Sequence, residues 1–149
     1  MHPELRRVLE VHPGRSWLSV CNGRWVFESP PNHEAVPVAR AATWLLPLAE
    51  RSRGQVEAQV RARLEPDDPD FSEVLDAVIA RGLTAWSDYW IFHTLNWLVA
   101  EDVVRFAEQL LRIATASTAA EQRTQALAER LLKDQGLWPS DGQDTHRQR

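Results

Sequence analysis

The apolar residues of this chain change period partway along it. Residues 16–29, SWLSVCNGRWVFES, form two short β-rich runs around Asn22-Gly23. Such a dipeptide between such runs predicts a hairpin, because a type I′ turn needs positive φ at both central residues. With Asn22 and Gly23 as the loop, Val20 faces Trp25 and Leu18 faces Phe27, so four apolar side chains share one face. The other face carries Ser19, Cys21, Arg24 and Glu28 with Trp17 and Val26, and Arg24 and Glu28 are expected to stay wetter. A two-stranded ribbon is marginal in water, so its apolar face is expected to pack on helices.

After the breaker Ser29-Pro30-Pro31-Asn32 the spacing becomes helical. From Pro37, a stripe of Ala41, Trp44, Leu45 and Leu48 predicts a helix that Pro47 kinks or ends. Val56, Val60 and Leu64 recur at i, i+4, i+8 in the next segment. Asp68-Pro69 then reads as N-cap and first helical position, Phe71, Val74, Leu75, Val78 and Ile79 as a stripe, and Gly82 as the stop. Thr84 or Ser87 opens a helix that is apolar on nearly all sides and so expected to be central.

Glu101 and Asp102 open a further helix, with Val103, Val104, Ala107, Leu110, Leu111 and Ala114 expected to face inward. A capping box from Thr118 to Glu121 starts the last one, Leu127, Leu131 and Leu132 make its stripe, and Gly136 ends it. The pattern predicts a mainly α protein: a compact bundle of about six helices with an N-terminal β-hairpin. A short α-solenoid-like stack is the alternative, although no repeat period is visible. One domain is expected over residues 1–138, with 139–149 as a flexible tail.

Composition narrows the class. At 149 residues, 44% hydrophobic and 26% charged, the chain can bury a real core. The net charge of −4 supplies no general attraction to phosphate, so neither nucleic acid nor an anionic membrane is an expected partner. Charge is nevertheless uneven: Arg40 to Arg63 holds five arginines against Glu50 and Glu57, whereas Asp67 to Asp102 holds eight acids against Arg81. Sixteen of the 17 basic residues are arginine, as expected of a GC-rich, bacterial coding sequence. The single cysteine, Cys21, forms no intrachain disulfide. With no signal-like or membrane-spanning run, this fits a cytoplasmic location.

Candidate chemistry is sparse. None of the six glycines makes a GxGxxG or P-loop cradle, and the five histidines show no HxxxH or HExxH spacing, so neither a cofactor nor a metal is expected. Asp67, Asp68 and Asp70 lack the loop of an EF-hand and read better as caps and solvated charges. Cys21 carries no local signature of a nucleophile.

The most informative segment is AWSDYWIFHTLNWL, residues 85–98. Trp86, Trp90 and Trp97 fall near one helical face, while Tyr89, His93, Asn96 and Trp97 run at i, i+4, i+7, i+8. As core, this stripe would need His93 and Asn96 satisfied by buried hydrogen bonds. As a surface or pocket, it would surround a few polar groups with aromatic walls. Seven tryptophans in 149 residues, a residue type favoured at interface hot spots, point to a non-enzymatic protein that binds another protein, or a second copy of itself as a homodimer. The alternatives are a small-ligand sensor with a pocket on the 86–98 helix and an enzyme with no recognisable motif. In the first two cases Trp86, Tyr89, Trp90, His93, Asn96 and Trp97 are the expected binding residues.

Overall fold

A computed structural model of the chain describes residues 5–29, 34–116 and 119–139. Internal contacts group the chain into two units, Met1–Gly82 and Leu83–Arg149, each described by itself.

The first unit opens with strands β1 (Leu5–His12), β2 (Ser16–Cys21), β3 (Arg24–Ser29) and β4 (Glu34–Pro37). They pair as an antiparallel meander in the order β1-β2-β3-β4. The β2–β3 register is the one the Asn-Gly turn dictates, with Leu18 opposite Phe27 and Val20 opposite Trp25. Asn22 and Gly23 both take positive φ, 54° and 77°. A β-branched side chain resists that conformation, so Gly23→Val is expected to cost about 1–2 kcal/mol. An unchanged melting temperature would contradict the turn.

The hairpin is thus the middle of a four-stranded sheet and not a separate ribbon. The outer strands left little trace in the sequence for physical reasons. In β1 the pairing slips between Arg7 and Leu9 and again between Glu10 and His12. Val8, Leu9 and Val11 are consequently all buried, which breaks the alternation that marks a strand. β4 is four residues long and runs directly into a helix.

Leu18, Val20, Trp25 and Phe27 are buried as expected. Glu28 is not wet: it is only 2% exposed, whereas Arg24 is exposed. Arg24 stands beside the turn, whereas Glu28 lies across β2 from Arg7. Arg7 Nε and Nη2 each donate to the Glu28 carboxylate at 3.1 Å, and Ser19 Oγ donates to Oε1 at 3.1 Å. The Arg7 guanidinium also lies 3.8 Å over the Trp17 ring. Its hydrogen bond to Glu28 raises its pKa further and keeps it charged.

Helices α1 (Val38–Leu45), α2 (Arg53–Arg61) and α3 (Ser72–Leu83) follow, with a 3-10 turn Leu46–Glu50 in which Pro47 ends α1. The α1 stripe is Val38, Ala41 and Leu45; Trp44 lies 100° from it and is 61% exposed. Val56 and Val60 bury α2, and Ser52 Oγ caps it by accepting from Gln55 N–H. Phe71, Val74, Val78 and Ile79 bury α3.

Two boundary signals of α3 read differently in the structure. Asp70, not Asp68, serves its start, Oδ1 accepting from Ser72 N–H at 2.9 Å, and Gly82 lies inside the last turn. Asp68 is occupied elsewhere: its carboxylate accepts from Arg6 Nη2 and from Glu65 N–H. Arg6, then the Glu65 amide, hold the Asp68 carboxyl below the ordinary carboxylate range. The unfolded chain therefore binds protons more readily. The stability this pair contributes is complete above about pH 4 and is lost as pH falls through the folded value. Arg6→Gln is expected to flatten the acid limb of the stability curve, and an unchanged limb would exclude the pair as its source.

The second unit contains α4 (Asp88–Trp97), α5 (Ala100–Arg105), α6 (Ala107–Thr115) and α7 (Gln122–Asp134). α4, α5 and α6 each contact α7. The segment read as one helix from Glu101 divides at Phe106, whose φ of −108° and ψ of 24° leave the helical region. Bonds from Phe106 N–H to Asp102 O and from Leu110 N–H to Phe106 O span the bend. On either side of that bend Val103, Leu110 and Ile113 are buried, while Val104 is exposed and Ala107, Leu111 and Ala114 are half-buried. Gly136, at φ 69°, closes α7 as expected. Thr118 of the expected capping box and the tail from residue 140 lie outside the described residues. Among the described residues no helix is long and apolar enough to cross a membrane.

Candidate functional site

α4 begins where Ser87 leaves extended backbone and Asp88 enters the first turn. Asp88 Oδ1 accepts from Glu121 N–H at 2.8 Å, which joins the start of α4 to the start of α7. Ile91, Thr94, Leu95 and Trp97 form the buried side, with Thr94 Oγ1 donating to Trp90 O at 2.7 Å. The helix is therefore not buried all round. Its opposite side presents Tyr89, 49% exposed, half-buried Trp90 and His93, and exposed Asn96.

The six expected binding residues separate into three settings. Tyr89, Trp90 and His93 form one cluster, with ring centroids 5.0 Å apart for Tyr89 and Trp90 and 4.4 Å for Tyr89 and His93. Asn96 stands one turn on and donates from Nδ2 to Phe92 O at 3.2 Å. Trp97, the last residue of the helix, turns into the core. Trp86 precedes the helix and is 82% exposed.

His93 meets Tyr89 and Phe92 through its ring. Replacing it with another flat ring keeps those contacts, so His93→Phe is expected to change stability by less than about 0.5 kcal/mol. A loss above about 1 kcal/mol on thermal unfolding would reveal a buried polar partner.

Trp86 lines a groove of about 440 Å³ together with residues of α6 and the segments flanking it. Leu83, Ala85 and Ile113 are its buried apolar floor. Ala116 and Ala119 extend the apolar wall, and Gln109 and Arg112 supply polar groups. Arg112 is the only charged residue of the lining, and it is exposed. The sequence reading missed this partnership of Trp86 with α6. Its signal is the series Gln109, Arg112, Ile113, Ala116, which shares one side of that helix at i, i+3, i+4, i+7.

No protein family, curated protein or solved structure matches the chain.

Asp68 and Asp70 are engaged as described above, and Cys21 sits half-buried opposite Arg24. Among the described residues no three His, Cys, Asp or Glu side chains cluster to hold a metal ion.

Proposed function

We propose that this chain is a non-catalytic protein-binding protein whose docking surface is the Trp86 groove. The observation that carries this is an 82% exposed tryptophan at the edge of a groove floored by Leu83, Ala85 and Ile113. A large apolar ring left in water beside apolar walls is the usual composition of an interface centre, and tryptophan is among the residues that dominate binding energy there. Arg112 specifies the partner's chemistry. An amphipathic segment of another protein fits, with an apolar side chain entering the groove and a carboxylate on the guanidinium fork.

A helical bundle is the scaffold in this proposal, supported by the packing of α4, α5 and α6 on α7. The partly exposed cluster of Tyr89, Trp90 and His93 belongs to the same proposal as a further partner contact. A location in the cytoplasm belongs to the same proposal, as does a second copy of the chain as an alternative occupant.

The test places a photo-crosslinking residue at position 86, and as a control at exposed Arg130, and then purifies the protein captured only from position 86. Its affinity should fall at least tenfold for Trp86→Ala and for Arg112→Glu, with melting temperatures near that of the unmodified chain. Equal capture at both positions, or an affinity indifferent to both substitutions, would refute the proposal. Capture of the chain itself, with dimerisation lost in Trp86→Ala, would assign the groove to a homodimer instead.

A further inference from the structure

A second groove, of about 820 Å³, lies in the first unit between β1 and α2. Its chemistry is unlike that of the Trp86 groove. Three arginines, Arg7, Arg51 and Arg63, line it against one acid, Glu10, and the Glu10 carboxylate already accepts from Gly14 N–H at 2.9 Å. The basic stretch noted in the sequence between Arg40 and Arg63 thus contributes two of its arginines to one concave surface.

The guanidinium groups are held in place. Arg7 is clamped by Glu28 and stacked on Trp17, and Arg51 donates from Nη2 to Val11 O at 2.8 Å. The exposed Arg63 side chain adds a third positive charge at the rim. Gln55 and Gln59, one turn apart on α2, add carboxamides that both donate and accept, as a peptide backbone requires.

We infer that this groove binds an acidic peptide segment of a partner protein in extended form, its carboxylates facing Arg63 and its neighbouring arginines and its backbone facing Gln55 and Gln59. The floor includes four residues of β1, Arg7 to Glu10, about 13 Å of strand that an extended segment would track. Recognition is by side chains and not by strand addition, because the two slips in β1 and the Arg51 bond to Val11 O interrupt the outer edge. A nucleic acid fits less well: the Trp17 ring is the stacking partner of Arg7 and not a bare platform for a base, and the chain carries a net charge of −4.

A random octapeptide library selected on the full chain, with Arg63→Glu as counter-target, tests this. Peptides rich in Asp and Glu should be enriched. Their affinity, read by fluorescence anisotropy, should fall at least tenfold in Arg63→Glu and with rising salt. The melting temperature should not move, and Gln59→Ala should weaken binding to a lesser degree. Trp86→Ala should leave this binding unchanged, which separates the two grooves. Enriched peptides without acidic bias, no enrichment at all, or acidic peptides that bind Arg63→Glu as tightly as the parent would overturn the inference. So would a thymidine oligonucleotide that displaces the acidic peptides at lower concentration.

Discussion

Trp25→Ala should be the most damaging single substitution in the first unit, costing about 3–5 kcal/mol. The side chain is 1% exposed, stands opposite Val20, and meets Phe71 edge-on with centroids 5.5 Å apart. Its indole Nε1 donates to Asp70 O at 3.0 Å, so it ties the sheet to the start of α3 as well as filling space. Alanine removes the ring, the aromatic pair and the hydrogen bond together. Trp25→Phe separates these effects: it retains most of the ring volume but leaves the Asp70 carbonyl without its donor, for an expected loss of about 1–2 kcal/mol. Denaturant unfolding of both variants provides the check. Equal losses would mean that the hydrogen bond, and not packing, holds this junction.

Glu28→Ala should cost about 2–3 kcal/mol, a large effect for a position whose charge and strand-end location suggest solvent. The carboxylate accepts both N–H groups of the Arg7 fork and the Ser19 hydroxyl, and Ser19 is fully buried. Removing it strands the hydroxyl and frees Arg7 from the surface of Trp17. Arg7→Ala should also destabilise, because it leaves a buried carboxylate without its cation. The double substitution should then be less harmful than the sum of the two, since each single change exposes the other partner to the same loss. Strict additivity in a double-mutant cycle would show that the pair does not act as a unit.

These two residues mark how far the sequence could be read. The β2–β3 register was legible because Asn22-Gly23 fixes the turn and the period-two pattern fixes the face; Leu18, Val20, Trp25 and Phe27 are buried accordingly. Glu28 was misread as wet because its partner, Arg7, belongs to a strand that the sequence conceals. The β1 bulges bury Val8, Leu9 and Val11 out of alternation, and without β1 nothing indicates a cation across β2. Helix stripes were legible where the helices are straight, as in α2 and α3. They failed at Val104, which stands 100° round α5 from buried Val103 and is exposed.

The tryptophans show the same boundary between local and tertiary information. Periodicity groups Trp86, Trp90 and Trp97, yet it does not decide which of them a neighbouring helix covers. Trp97 is buried and Trp90 half-buried, and Trp86 stands in water because it precedes the first turn of α4. The groove beside Trp86 draws on α6, more than twenty residues further along the chain. A spacing rule within one helix does not reach that far.

Hydrogen–deuterium exchange on the full chain, with and without the partner captured from position 86, tests the docking surface most directly. Binding should slow exchange in the peptides covering residues 83–90 and 107–116, which carry Trp86, the floor of its groove and Arg112. Protection confined to residues 5–17 and 51–63, or absent from both segments around Trp86, would contradict the account.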